Sequence, residues 1–169
     1  KLSPEELEKV EWAGLLHDIG KIGIRLEALN KPGKITKEEH EMFKDHTFMG
    51  KQILDQIPFL KEIVPLVYYH HENYDGSGYP ERIKGEKIPL GARILAIADA
   101  YDAMTSDRPY RKALSQEEAI KELRRCSGTQ FDPALVEVFI KEMERNKKEV
   151  EEKKREWLGI ISNPKPGSG

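Results

Sequence analysis

The sequence predicts an all-α domain. Three observations carry that expectation: apolar residues recur at helical spacing along most of the chain, strand-like alternation is nearly absent, and Ser/Thr-x-x-Glu signatures of a helix start stand at Ser3–Glu6, Thr36–Glu39 and Ser115–Glu118. The first helix is expected to begin after Ser3, with Pro4 in its opening turn, and to run to about Gly20 with Leu7, Val10, Gly14 and His17 on its inward face. A turn around Asn30–Gly33 precedes a second helix reaching about Gln56, whose inward stripe is Phe43, His46, Gly50, Ile53 and Ile57. The third, from about Phe59 to Glu72, carries Ile63, Val67 and the pair His70–His71, with a kink at Pro65. Residues 73–90 are rich in glycine and proline and read as a long ordered loop, a feature that in compact domains usually has a function. The fourth helix, Gly91 to about Met104, is the most apolar, and Asp99 follows directly on its run Ile94–Ala98. Ser115 opens a fifth helix and Asp132–Pro133 a sixth. Beyond Met143 the charges alternate in sign to Glu156, as on a solvated helix held by pairs four apart, and residues 163–169 are expected to lack structure. The expected organisation is therefore a core over residues 1–143 and a charged helix with a tail over 144–169.

Bulk composition narrows the partners. With 28 basic against 30 acidic residues the chain has no global field to draw nucleic acid, so DNA is not an expected partner. No run approaches the roughly 18 apolar residues of a membrane span, so direct membrane insertion is not expected either. Cys126 is the single cysteine, which excludes an internal disulfide and a CxxC zinc site and fits a reducing, cytoplasmic setting.

Polar residues stand where a core should be. His17, Asp18, His46, His70, His71 and Asp99 all fall on or beside inward stripes, and burying such groups without partners is costly. One histidine on an apolar face is usually a hydrogen-bonded core residue. Six titratable groups spread over four helices ask for a shared partner, and a divalent metal supplies one. Neutral imidazoles bind transition metals through one ring nitrogen, and a carboxylate can bridge two cations about 3.5–4 Å apart, a spacing suited to in-line attack on phosphorus. Adjacent residues on a helix point about 100° apart. His17 and Asp18 can therefore reach one cluster only at a helix end, which Gly20 provides. His40 lies off its helix's inward stripe and reads as a surface residue, and Asp102, near a helix end, as a cap or an arginine partner.

These residues also carry a resemblance. His17-Asp18-Ile19-Gly20-Lys21 matches the HDxGK signature of the HD phosphohydrolases, and His70-His71-Glu72 followed by Asp75-Gly76-Ser77-Gly78-Tyr79-Pro80 matches the HHExxDGxGYP signature of the HD-GYP subgroup. Lys44-Asp45-His46 and the stretch Ala98 to Arg111 agree as well, so the likeness spans about Leu7 to Phe139. It implies an HD-domain helical bundle of about six helices holding two or three divalent metals, commonly iron or manganese, that hydrolyses cyclic di-GMP to the linear dinucleotide and in some members onward to GMP. Carried over by position, His17, Asp18 and Asp99 resemble the ligands of one metal, and Asp18 bridges to a second held by His46, His70 and His71. Lys21 corresponds to a contact with the scissile phosphate, Tyr79 and Gly78 to the loop that positions the dinucleotide, and Arg108 and Arg111 to its phosphate or guanine contacts. The implied reaction is attack of water in line with the leaving 3′ oxygen, without a protein nucleophile.

One departure from the family pattern stands out. Members carry a further helix ahead of the His-Asp pair, and it donates another histidine; this sequence starts after that point. The expectation is truncation relative to the family, with self-association or an attached receiver or sensor domain upstream. Two other functions stay open at this stage: an HD hydrolase of another nucleotide, and a catalytically impaired fragment serving as a docking module. The Gly78-Tyr79-Pro80 loop argues against the first, and retention of the ligands from His17 onward against the second.

Overall fold

The computed structural model describes residues 2–24, 36–107 and 111–162. The expected turn at Asn30–Gly33, Arg108, the side chains of Glu39 and His40, and the tail 163–169 lie outside the described residues. Among the described residues all regular structure is helical: α1 (Pro4–Leu16), α2 (Lys37–Leu54), α3 (Val64–Tyr68), α4 (Leu90–Thr105), α5 (Gln116–Arg125) and α6 (Pro133–Ser162), with short 3-10 turns at Ile19–Gly23, Pro58–Ile63 and Gly85–Lys87. The chain forms two compact units, Lys1–Val136 and Glu137–Gly169. In the second, α6 continues and Arg145 pairs with Glu142 and Glu149, the three- and four-residue spacing that stabilises a solvated helix.

The helix starts follow the sequence closely. Ser3 and Glu6 form a reciprocal capping box at α1, as Ser115 and Glu118 do at α5. Asp132 caps α6, its Oδ1 accepting the amides of Ala134 and Leu135, while its Oδ2 takes Arg93 Nη1 at 2.5 Å. Asp132 is buried and Arg93 partly so, and the pair ties α4 to the start of α6.

The helix ends differ from expectation, and the differences build the site. α1 stops at Leu16, not near Gly20: Asp18, at φ −100° and ψ 7°, leaves the helical path and the chain tightens into the Ile19–Gly23 turn. The expected third helix is broken in two, because Pro58 and Pro65 each stand in the opening turn of a separate piece, where a missing N–H costs nothing. Pro65 thus starts α3 rather than kinking a longer helix, and His70 and His71 lie in the turn beyond Tyr68. Leu7, expected inward, is 49% exposed; Ala13 is the fully buried residue of α1. In α2, Phe43 and Ile53 are half-buried, His46 and Gly50 buried, and Leu54 and Thr47 are fully buried as well. The apolar cluster of Ala13, Leu54, Leu60, Ile63, Val64, Val67 and Leu95 draws α1, α2, α3 and α4 together. Each such aliphatic side chain contributes about 1.5–3 kcal/mol on burial, which holds the polar groups at the helix ends in register. No helix is long and apolar enough to cross a membrane, among the described residues.

Candidate metal centre

His17 terminates α1 and Asp18 opens the turn that follows. That turn presses on α2: a Cβ built on Gly20 would lie 1.9 Å from the carbonyl oxygen of His46 and 2.5 Å from the amide nitrogen of Gly50. Only glycine permits this approach, and it carries Asp18 to His46, with Oδ1 3.6 Å from His46 Nε2. The other carboxylate oxygen, Oδ2, lies 3.4 Å from His17 Nε2 and 2.6 Å from Lys21 Nζ. Asp99, from the middle of α4, brings Oδ1 to 3.8 Å from His17 Nε2. His70 and His71, released from the helix, have ring centroids 4.0 Å apart, and the ligand atoms of His46, His70 and His71 lie within 4.8 Å of one another. All six candidate ligands therefore converge, with the two oxygens of Asp18 facing different histidines.

The imidazoles are aimed by a repeated device. Nδ1 of His17, His46 and His70 each lies against the carbonyl oxygen three residues earlier, that of Gly14, Phe43 and Val67 respectively. Such a bond places the proton on Nδ1 and leaves Nε2 as a lone pair directed into the cluster. His46 is 2% exposed and His70 1%, yet Nε2 of both, with Asp18 Oδ1, is buried without a hydrogen-bond partner. Buried acceptors of this kind are rarely left unmatched. Burial lowers the pKa of His46, pushes His70 down to about 4, and with the neighbouring imidazoles takes His71 to about 2, so all three are neutral at neutral pH. Burial pushes the Asp18 carboxyl up, but its bonds to His17 and Lys21 outweigh that and hold it well below the usual carboxylate range. The same bond to Asp18, against burial, raises His17. Neutral imidazole nitrogens and an ionised carboxylate are the donor set that a divalent transition metal takes, and the unmatched lone pairs fit it.

Above the cluster opens a cleft of about 720 Å³ lined by the His70–Pro80 segment, one face of α2, Asp99 and Gln130. Tyr79 is half-buried there, its ring centroid 5.0 Å from that of His71, and Lys44 Nζ lies 5.7 Å from the Tyr79 ring centroid. Burial raises the Tyr79 phenol, which stays protonated. A Cβ on Gly78 would lie 2.2 Å from the amide nitrogen of Asn73 and 2.5 Å from the carbonyl oxygen of His71, so the loop folds back tightly on the histidine turn. Arg111 is exposed and donates Nη2 to the carbonyl of Ala103 at 2.6 Å, and it is not among the cleft-lining residues. Asp102 accepts Ser106 Oγ, so its partner is a serine rather than an arginine.

Glu41, Phe48 and Gln130 line the cleft without having been expected there. Glu41 and Phe48 share a face of α2 with the motif residues Lys44 and Asp45, and their three- and four-residue spacing was a readable signal. Gln130 gave none: it arrives because the amides of Tyr74 and Asp75 bond the carbonyls of Gln130 and Thr129, a pairing of loops more than fifty residues apart.

Comparison with known proteins places this geometry in context. Residues 1–135 match the profile of a family described as HD domain. A cyclic di-GMP phosphodiesterase of Thermotoga maritima is 44% identical over 135 residues, covering 79% of this chain and 37% of its own length. A cyclic di-GMP phosphodiesterase response regulator of Xanthomonas campestris pv. campestris is 43% identical over 142 residues, covering 83% and 38%. Among solved structures, a cyclic GMP-AMP specific phosphodiesterase of Vibrio cholerae superposes with a TM-score of 0.64 at 26% identity, covering 85% of this chain and 40% of that one. The chain thus spans about two fifths or less of the length of these relatives.

Proposed function

This chain belongs to the HD-domain family, and on that premise we propose that it is the catalytic core of an HD-GYP phosphodiesterase that opens cyclic di-GMP to the linear dinucleotide. One observation carries the reading: the unmatched lone pairs of His46, His70 and Asp18 gather beside His71 and Asp99, which together with His70 line a cleft walled by the loop bearing Tyr79. His46, His70 and His71 would hold one cation, His17 and Asp99 another, with Asp18 between them. Divalent iron or manganese, two ions or three, would supply Lewis acidity toward water and the phosphoryl oxygens.

The chain's own groups do the rest. The carbonyls of Gly14, Phe43 and Val67 fix the tautomer of three imidazoles, which pre-orients the ligand nitrogens at no further entropic cost. Lys21, beside Asp18, is placed to offset charge gathering on an equatorial phosphoryl oxygen. Tyr79 offers a ring face and a protonated hydroxyl to the dinucleotide, and Gly78 lets its loop seat against the histidines. Lys44 and Arg82 are cations already in the cleft wall. Arg111 joins them only by leaving the Ala103 carbonyl, and Arg108 is assigned to substrate by its position in the motif alone.

The test is anaerobic preparation with iron(II) or manganese(II), elemental analysis, and chromatography of cyclic di-GMP digests beside His70→Ala. Retained metal and wild-type turnover lost in the variant are expected; a wild-type chain that neither retains metal nor consumes the dinucleotide overturns the proposal. A second substrate reading is favoured by relatives named 3′3′-cGAMP-specific phosphodiesterases, 38% and 35% identical to this chain. Parallel digests of the two cyclic dinucleotides separate them. A cytoplasmic setting suits a substrate of this kind, and the response-regulator relative supports an attached receiver domain as signal input. Exposure of Trp12, Leu15 and Ile22 supports self-association as a further mode of assembly.

A further inference from the structure

We propose that Glu72 is a positioning residue: its carboxylate clamps the loop bearing Tyr79 onto the turn bearing His70 and His71, so that the substrate-binding wall and the ligand histidines hold one register. The meaning of that register rests on the phosphodiesterase reading; the clamp itself does not. Glu72 is 3% exposed, and its Oε1 accepts the amide of Glu81 at 2.6 Å. One residue earlier, the carbonyl of His71 accepts the amide of Tyr79 at 3.1 Å. Two consecutive residues of the histidine turn therefore grip two residues of the loop, one on each side of Pro80. Gly78 permits the approach, and the Tyr69 hydroxyl adds an outer tie to the Glu81 carboxylate at 3.1 Å.

The clamp is distinct from the rest of the loop's anchorage. Tyr74 and Asp75 are tied to Gln130 and Thr129, and Gly85 to Tyr74, which holds the far half of the loop and leaves residues 79–81 to Glu72 and His71. Glu72 is also distinct from the ligands. Among the described residues the donors that meet within 4.8 Å are those of His46, His70 and His71, and Glu72 is not among them: its Oε1 is engaged by the loop, while its Oε2 is buried without a hydrogen-bond partner. A buried acceptor for backbone amides of residues 81–83 serves a geometric function: an amide oxygen can replace it, and a methyl group cannot.

The test uses the full chain loaded with manganese(II), compared with Glu72→Ala, Glu72→Gln and Gly78→Ala. Glu72→Ala is expected to raise KM for cyclic di-GMP about tenfold with kcat little changed, because the loop binds ground state and transition state alike. Manganese content should be unchanged and hydrogen exchange at the Glu81 amide about tenfold faster. Glu72→Gln should restore both, and Gly78→Ala, whose new methyl group forces the loop off the histidine turn, should reproduce the KM effect. Wild-type exchange at Glu81 in the alanine variant overturns the clamp. So does loss of manganese from it, which would make Glu72 a ligand, and so does a folded glutamine variant as impaired as alanine. If the wild-type chain ignores the dinucleotide, the phosphodiesterase reading falls alone, and the exchange and manganese measurements still decide the clamp.

Discussion

Adding one methyl group at Gly20 and one at Gly14 should move stability in opposite directions, although the two glycines stand six residues apart. At Gly20 the new Cβ would meet the His46 carbonyl oxygen at 1.9 Å, the Gly50 amide nitrogen at 2.5 Å and the His46 carbonyl carbon at 2.9 Å. All three are main-chain atoms of α2, so no rotamer change relieves the overlap. The turn must lift away by more than an ångström. Overpacking of this kind costs about 1–3 kcal/mol, and with backbone on both sides the upper end applies, a fall in Tm of about 6–12 °C for a chain of this size. At Gly14, inside α1, the nearest contact of the new Cβ is Leu95 Cδ2 at 3.5 Å, ordinary van der Waals distance. There alanine removes backbone entropy from the unfolded chain and should stabilise by about 0.5–1 kcal/mol. Gly20→Ala has a second consequence, because the displaced turn carries His17 and Asp18 away from His46, His70 and His71. Manganese affinity should fall at least about tenfold, whereas Gly14→Ala should leave it unchanged. Thermal melts with and without manganese, and metal titrations by calorimetry, read both effects. A Gly20→Ala protein melting within about 0.5 kcal/mol of wild type, with full metal affinity, would falsify the view that this backbone contact sets the ligand geometry.

Manganese at one hundred times its Kd should raise stability by about 2.7 kcal/mol, and both His46→Ala and His70→Ala should abolish the increment in melts run with and without chelator. His70 and His71 are held neutral by burial, with folded pKa values of about 4 and about 2. The unfolded chain, with histidines near about 6.5, binds the extra protons, so the metal-free protein keeps this stability above about pH 6.5 and loses it as pH falls toward 4. The His70 share is about 3 kcal/mol; urea midpoints that do not fall between pH 7.5 and 4.5 would contradict it, and His70→Gln should flatten the slope. Asp132→Ala should cost about 3 kcal/mol, because it leaves the partly buried Arg93 guanidinium without its anion and removes the cap of α6. Asp132→Asn keeps an acceptor for Ala134 and should cost less, a ranking that urea unfolding checks.

Legibility in the sequence followed the range of the interaction. Helical class, the capping boxes at Ser3 and Ser115 and the cap at Asp132 depend on groups within four residues of one another, and the pattern displays them directly. The six candidate ligands were legible for a related reason: polar residues on apolar stripes conflict with local preference, and such conflicts mark sites. Tertiary structure decided what those residues could do. It ended α1 at Leu16 and α3 at Tyr68, so that the pairs His17–Asp18 and His70–His71 leave helical geometry and can both aim inward. It set Gly20 against the backbone of α2, brought Gln130 to the cleft through loop pairing, and turned Glu72 from a motif letter into an acceptor for Glu81. Sequence periodicity reports which face of an element is buried, since that depends on side-chain chemistry alone. Where an element stops, and which backbone group meets another across dozens of residues, depends on packing in three dimensions, and one chain's letters carry no trace of that distance.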